Sequence, residues 1–208
     1  MKFDNHDSRL KYYHIVMEMD DSVPVETYDL PEGYSFVTYE DGDKEDWISI
    51  EWSAKEFTCY ADGINAWNRY YAKYEHLLPG RMFFVVAPNG EKVATATAFF
   101  DPNSPDDGKA WLHWVAVRRD YQGKGLARPI ISKALSRLRE LGHGKLFVST
   151  QTTTWLACKL YMDFGFRPEA ENVRESEFGY RMLKTLTNHP ALRDFEPAAI
   201  EEMLAEEE

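Results

Sequence analysis

The run AVRRDYQGKGLARPIISKAL, Ala116 to Leu135, sets two glycines one residue apart among basic residues and follows them with an apolar periodic stretch. Leu126, Ile130, Ile131, Ala134, Leu135, Leu138 and Leu141 fall on one face of a helix. Pro129 is tolerated only in a first helical turn, where amide hydrogens lack partners, so the helix is expected to begin near Gly125 or Leu126. The amides of residues 123–128 then open at the positive end of a helix dipole. Gly123 and Gly125 let an oxyanion approach the main chain with no Cβ in the way, and Lys124 and Arg128 add charge. This pattern can hold phosphate.

Three kinds of phosphate loop compete with an ordinary tight turn. A nucleotide loop of the form G-x-x-x-x-G-K-[ST] fails, because Lys124 is followed by glycine. A dinucleotide fingerprint also fails. Arg128 stands where its third glycine belongs, and the next strand ends in Ser149-Thr150-Gln151 rather than an acid. The third kind emerges from the elements around the loop.

Lys11–Met19 and Tyr34–Tyr39 read as strands, separated by an acidic, proline-marked connection. Helices are expected around Trp47–Ala54 and from Ile64 until Pro79 and Gly80 stop it. RMFFVVA and KVATATAFF flank an Asn-Gly turn and form a hairpin, and Lys109–Val117 is the strand that feeds the glycine loop. KLFVST is a strand, TTWLACKLYMDF a short helix closed by Gly165, and GFRP and FGYRMLKTL are expected to be two final strands. The tail EEMLAEEE is expected to fray. The order predicts an α/β fold with a mixed, mostly antiparallel sheet flanked by helices.

Two motifs carry a resemblance to a known family. QGKGLA, Gln122–Ala127, is similar to the Q/R-x-x-G-x-G/A motif of the GNAT superfamily of acyl-CoA-dependent N-acyltransferases, and ACKLYMDFGF, Ala157–Phe166, looks like its A-x-x-L-Y-x-x-x-G-F signature. They stand in the family's order, about 30 residues apart, and the resemblance covers roughly residues 30–185. It implies a GNAT-like domain over residues 31–187. Residues 1–30 would then be an N-terminal strand and connection, and residues 188–208 an acidic tail.

The resemblance further implies that the loop amides of Gln122, Gly123, Lys124, Gly125, Leu126 and Ala127 cradle the pyrophosphate of acetyl-CoA, with Arg128 beside them. The exposed main chain of Val115, Ala116 and Val117 would pair with the pantetheine arm, and the amide of Val117 could polarise the thioester. Tyr161 matches the family's general acid; outside that motif it would read as a core aromatic. His113 is the favoured general base, with a structural histidine as the alternative. WLHWVAV is similar to the strand of arylalkylamine N-acetyltransferases, whose H-x-H pattern keeps only its second histidine here, Trp111 taking the first place. Glu51 and Glu56 are outside candidates on what reads as a solvated helix face. Thr154 stands where many members have asparagine; it could contact pantetheine or cap the helix.

The net charge of −11 argues against nucleic acid as partner. Charge is uneven: residues 1–60 carry fifteen acids and five bases, whereas residues 118–145 carry eight bases and two acids. Two cysteines, Cys59 and Cys158, without metal-ligand spacing, imply reduced thiols and no metal. No apolar run approaches the ~20 residues that span a bilayer, so no membrane partner and a cytoplasmic location are expected. The aromatics Trp47, Trp52, Phe57, Tyr60, Trp67, Tyr70, Tyr71 and Tyr74 either line an acidic cleft for a small cationic amine or simply pack the helices. A homodimer stays open. The expected activity is acetyl transfer from acetyl-CoA to a primary amine. The alternatives are a non-catalytic acyl-CoA-binding module and an enzyme acting on protein lysines or N-termini.

Overall fold

In the computed structural model, which describes residues 3–102, 104–105 and 107–205, the elements run in chain order as follows. Strand β1 (His14–Met19) and strand β2 (Ser35–Thr38) precede helices α1 (Lys44–Ser53) and α2 (Tyr60–Tyr70). Strands β3 (Met82–Val86), β4 (Lys92–Phe100) and β5 (Ala110–Val117) lead to helix α3 (Ala127–Glu140). Strand β6 (Leu146–Gln151), helix α4 (Trp155–Asp163), the two-residue strand β7 (Arg167–Pro168), helix α5 (Ala170–Thr187) and helix α6 (Ile200–Met203) complete the chain. The fold is α/β, with seven strands among the described residues and helices flanking them. No helix of the described residues is long and apolar enough to cross a membrane.

The chain divides into two compact units, residues 24–146 and residues 1–23 with 147–208. In the first, β2, β3, β4 and β5 pair antiparallel in sequence order. β4 is buried along almost its whole length. Its small residues Ala94, Ala96 and Ala98 alternate with Thr95, Thr97 and Phe99, so the two sets point to opposite faces. Phe99 touches Tyr71 of the α2 end, at 5.2 Å between ring centroids, and so marks the face that α1 and α2 cover. The helix expected to run from Ile64 to Leu78 breaks at Tyr71 into a 3-10 turn, Ala72–Leu77.

In the second unit β1 lies between β6 and β7 and pairs antiparallel with β7. FGYRMLKTL is not a strand. It belongs to α5, an 18-residue helix that buries Asn172, Ser176, Gly179, Tyr180 and Leu183 at helical spacing. The reason lies in β1. Asn172 Oδ1 accepts from Val16 N at 2.9 Å and from Tyr180 Oη at 2.6 Å, while Asn172 Nδ2 donates to His14 O at 3.2 Å. A Cβ on Gly179 would stand 2.7 Å from Tyr13 Cβ, so glycine permits the helix to press onto the strand. The tail does not fray as far as residue 205. Leu204 bridges Leu10, Lys11 N donates to Met203 O at 2.8 Å, and Met203 is buried beside Leu10 and Met182. Residues 206–208 of the tail lie outside the described residues.

Candidate active site

After β5 the chain makes a 3-10 turn, Arg119–Tyr121, and then the glycine loop. Gly123 and Gly125 have φ of +77° and +79°, a region costly for any residue with a Cβ. A Cβ at Gly123 would meet nothing within 4 Å, and one at Gly125 only Pro31 Cγ at 3.8 Å, so the space over the loop is open. Gln122 ties the loop to the strand: its Nε2 donates to Val117 O at 3.1 Å. The Gln122 amide itself is used in the turn, donating to Arg119 O at 3.3 Å. The amides of Gly123, Lys124, Gly125, Leu126 and Ala127 donate to no acceptor among the described residues.

Helix α3 starts without compensation for this. Leu126 stands at its N-cap, offers no side-chain hydrogen bond, and no acid occupies the first turn. A helix that lacks both a capping oxygen and a nearby carboxylate gives up roughly 1 kcal/mol or more of stability. An anion over the loop supplies both. Lys124 Nζ sits 4.4 Å from the Tyr121 ring centroid, at the rim of the same loop. Other members of the basic stretch serve structure instead. Arg137 Nε donates to Gly80 O, Arg139 Nη1 to His143 O, and Arg118 Nη1 to Ser49 Oγ.

β5 contains a feature the sequence does not announce. Thr95 pairs with Ala116 and Thr97 with His113, so Ala96 alone faces both Trp114 and Val115. This is a β-bulge, and Trp114 adopts φ +47°, an outlier for a bulky residue. The extra residue brings consecutive side chains to one face. The His113 ring lies 5.2 Å from Tyr70 and the Trp114 ring 5.5 Å from the same Tyr70. Val115 lies within the bulge, whereas Ala116 and Val117 resume pairing with Thr95 and Ala94 of β4.

His113 is half-buried and its Nδ1 lies 3.0 Å from Tyr71 Oη. Desolvation among Tyr70, Tyr71 and Phe99 pulls its pKa down to about 3, against a small opposing effect of Asp101. Burial likewise pushes the Tyr71 phenol well up. Among the aromatics expected over this face, Trp47, Phe57, Trp67 and Tyr71 are buried core, Tyr60, Tyr70 and Tyr74 are half-buried, and Trp52 is exposed. Trp47 contacts Trp114 at 5.2 Å, Tyr71 at 5.4 Å and Trp67 at 5.4 Å.

Glu51 departs from expectation. Instead of lying on a solvated helix face, it is fully buried, and neither carboxylate oxygen has a hydrogen-bond partner among the described residues. It lies one turn beyond Trp47, on the inward stripe that also holds Ile48 and Ile50. Burial and the nearby Glu56 raise its pKa well above the ordinary carboxylate range. Glu56 is half-buried.

His113, Val115–Val117 and the loop Gln122–Arg128 all belong to the first unit; Tyr161 and Thr154 belong to the second. Tyr161 is buried, its ring 6.2 Å from Phe166, the last residue of its motif. Thr154 occupies the N-cap position of α4, but its hydroxyl turns back to Gln151 O at 3.1 Å and Thr150 Oγ1 at 3.2 Å and caps nothing. Both cysteines are free; Cys59 is exposed, and burial pushes Cys158 up to about 12. Among the described residues no group of three His, Cys, Asp or Glu side chains is placed to hold a metal ion.

Known proteins place these observations. The acetyltransferase (GNAT) family matches residues 26–166. A GCN5-related N-acetyltransferase from Sphaerobacter thermophilus shares the fold with a TM-score of 0.60 at 20% identity, covering 77% of this chain and 49% of that one. A putative GNAT acetyltransferase from Novosphingobium aromaticivorans gives 0.52 at 18% identity, covering 78% and 64%. A GNAT-family acetyltransferase from Colwellia psychrerythraea gives 0.55 at 12% identity, covering 76% and 54%. The chain thus spans about half to two thirds of the length of these solved chains. No curated protein matches it in sequence. The family match takes in the glycine loop, the bulged strand and the tyrosine motif together, and the chain belongs to the GNAT acetyltransferase family.

Proposed function

We propose that the protein moves an acetyl group from acetyl-CoA to a small primary amine by direct attack. The observation that carries this reading is the row of five amides, Gly123 to Ala127, that have no acceptor among the described residues at the uncapped start of α3. Their open cradle fits a diphosphate: glycines at positive φ, no Cβ in the space above, and cationic Lys124 at the rim. The bulged β5 main chain at Val115–Val117 would hold the pantetheine arm and orient the thioester. Acetyl-CoA brings an acyl carbon activated toward nitrogen.

The remaining roles are proton transfers. Tyr161, from its place in the L-Y-x-x-x-G-F motif, is assigned the donor to the departing thiolate. His113 is the candidate base on the strand and is neutral at every physiological pH. A pKa near 3 makes it a weak acceptor, so its assigned task is to receive a hydrogen bond from the neutral amine. The acidic N-terminal third of the sequence and the aromatic face of α1 and α2 support a cationic acceptor.

The test is calorimetric titration with acetyl-CoA followed by thiol release across small amines and basic peptides. Saturable heat and thiol release with small amines are expected. Heat without thiol release would mark a binding module, and release with peptides alone would mark a protein acetyltransferase. No heat at all would remove the transferase reading.

A further inference from the structure

The glycine loop accounts for only part of the basic stretch between residues 118 and 145. Roughly two to three turns beyond Gly125, Lys133 and Arg137 of α3 line an open cleft of about 300 Å³ together with Gly80, Phe83 and Glu140. Lys133 is exposed and Arg137 half-buried. They stand four residues apart on one helix face, about 5–6 Å between Cβ atoms, a spacing at which like charges repel.

The charge at the cleft is only partly met. Lys133 makes no ion pair or hydrogen bond among the described residues; its Nζ lies over the rings of Phe83 and Phe36, 5.5 and 5.9 Å from their centroids. Arg137 donates from Nε to Gly80 O at 2.9 Å and pairs through Nη1 with Glu140 Oε2 at 3.1 Å. Its Nη2 has no acceptor among the described residues. Glu140 is the one acid among the described residues that line the cleft, and its side chain is 63% exposed. A third cation stands close by. Arg81, just before β3, is half-buried, and its side chain makes one hydrogen bond among the described residues, from Nη1 to Ala98 O at 3.4 Å. Burial and the charge of Arg137 pull the Arg81 guanidinium below its ordinary range, and the charge of Arg81 adds to the burial that lowers His143.

The negative end of the α3 dipole accounts for the basic residues of its last turn, Arg137 and Arg139. It does not account for Lys133 in mid-helix or for Arg81 outside the helix. Gathering like charge around a cleft weakens the unliganded fold and raises the local concentration of anions.

We propose that this cleft is a binding site, separate from the glycine loop, for a compact dianion (a phosphate monoester or a dicarboxylate) held by Lys133 and Arg137. Arg81 adds charge from beside them. The volume stands at the lower end of the roughly 300–1,000 Å³ of small-molecule sites, which fits a ligand of that size. Phe36 and Phe83 support the Lys133 ammonium in place, so less freedom is lost when the anion arrives.

The test is calorimetric titration and thermal melting of wild type, Lys133→Gln and Gly125→Val at about 0.15 M salt, where loose surface attraction is screened. The probes are phenyl phosphate and succinate, with acetate as the singly charged control. Saturable heat is expected with at least one dianion, and which of the two binds more tightly separates a phosphate monoester from a dicarboxylate. Acetate should bind about tenfold or more weakly. Lys133→Gln should lose about tenfold or more in dianion affinity, the equivalent of one charge-assisted contact, and Gly125→Val none. Without ligand, Lys133→Gln should melt no lower than wild type, because a repulsion is gone, and its acetyl-CoA affinity should match wild type. No heat with either dianion, acetate bound as tightly, or equal affinity in Lys133→Gln would each overturn the site. So would a loss in Gly125→Val, which would place the anion on the glycine loop, or weakened acetyl-CoA in Lys133→Gln, which would assign the cleft to the coenzyme. A lower melting point for unliganded Lys133→Gln would overturn the repulsion on which the site rests. The cleft shares no residue with the loop, so wild type that failed to bind acetyl-CoA would sink the transferase reading and leave this one standing on the dianion titration.

Discussion

His113 and Trp114 are neighbours in one strand, yet their rings lie 6.1 Å apart at 79° and both lean on Tyr70. A regular strand would send them to opposite faces. The bulge opposite Ala96 removes that alternation and places the strand's only histidine and a large aromatic side by side over the α1–α2 layer. After the bulge the strand regains its pairing with β4, Ala116 opposite Thr95 and Val117 opposite Ala94, before the glycine loop begins.

Truncating Trp114 tests the bulge. Trp114→Ala removes contacts with Trp47, Phe57 and Tyr70 and is expected to cost about 3 kcal/mol, the low end for a large aromatic because the ring is half-buried. Chemical denaturation measures it. A cost near zero would mean that the layer is not packed as described.

The glycine loop has an internal control. Gly125 and Gly90 both have positive φ, +79° and +87°, and a Cβ at either meets no atom closer than 3.8 Å. Gly125→Val and Gly90→Val should each lose about 1–2 kcal/mol from the same backbone cost. Only Gly125→Val should weaken acetyl-CoA, by about tenfold or more, the equivalent of one lost charge-assisted contact. Equal affinities in the two variants would reduce the loop to a turn.

Tyr161→Phe should bind acetyl-CoA as wild type does and lose about 10- to 1000-fold in turnover, the effect of removing a positioned proton donor. Thiol release under saturating acetyl-CoA reads the difference directly. Unchanged turnover would remove Tyr161 from the chemistry and leave it as the partner of Phe166.

His113, half-buried, and Glu51, fully buried, make stability depend on pH in opposite senses. His113 titrates at about 3 in the folded chain against an ordinary 6.5, so the unfolded chain binds more protons between those values. Stability is lost as pH falls from about 6.5 toward 3, and His113→Gln should flatten that slope. Glu51 is raised above its ordinary 4.5, so the folded chain holds the extra proton and stability is lost as pH rises above 4.5. Glu51→Met should therefore gain on wild type progressively from pH 4.5 upward. Melting curves across pH settle both, and parallel curves for variant and wild type would contradict either assignment.

Asn172 carries the junction of α5 and β1. Asn172→Ala strands Val16 N–H, His14 C=O and a bond of Tyr180 Oη, and is expected to cost about 2–4 kcal/mol. A loss below 1 kcal/mol would show that α5 is held by its apolar stripe alone.

Much was legible in the chain itself where the cause is local. Gly123, Gly125 and Pro129, followed by a 3.6-residue apolar period, dictate a turn, a helix start and a row of unbonded amides, and the structure has all three. The Asn89-Gly90 hairpin and the Gly165 stop after α4 follow from the same short-range rules. What the chain alone did not reveal depends on distant partners. Residues 178–186 read as a strand because aromatic and branched residues alternate there, but β1, more than 150 residues earlier, already lies beside β6, and α5 docks on it through Asn172 and Gly179. The bulge at Trp114 is a matter of register between two strands, and no residue type marks it. Glu51 reads as solvated because a carboxylate on a helix ordinarily faces water; only the packing of α1 on the sheet shows that its stripe turns inward, since burial belongs to the assembled layer and not to the residue.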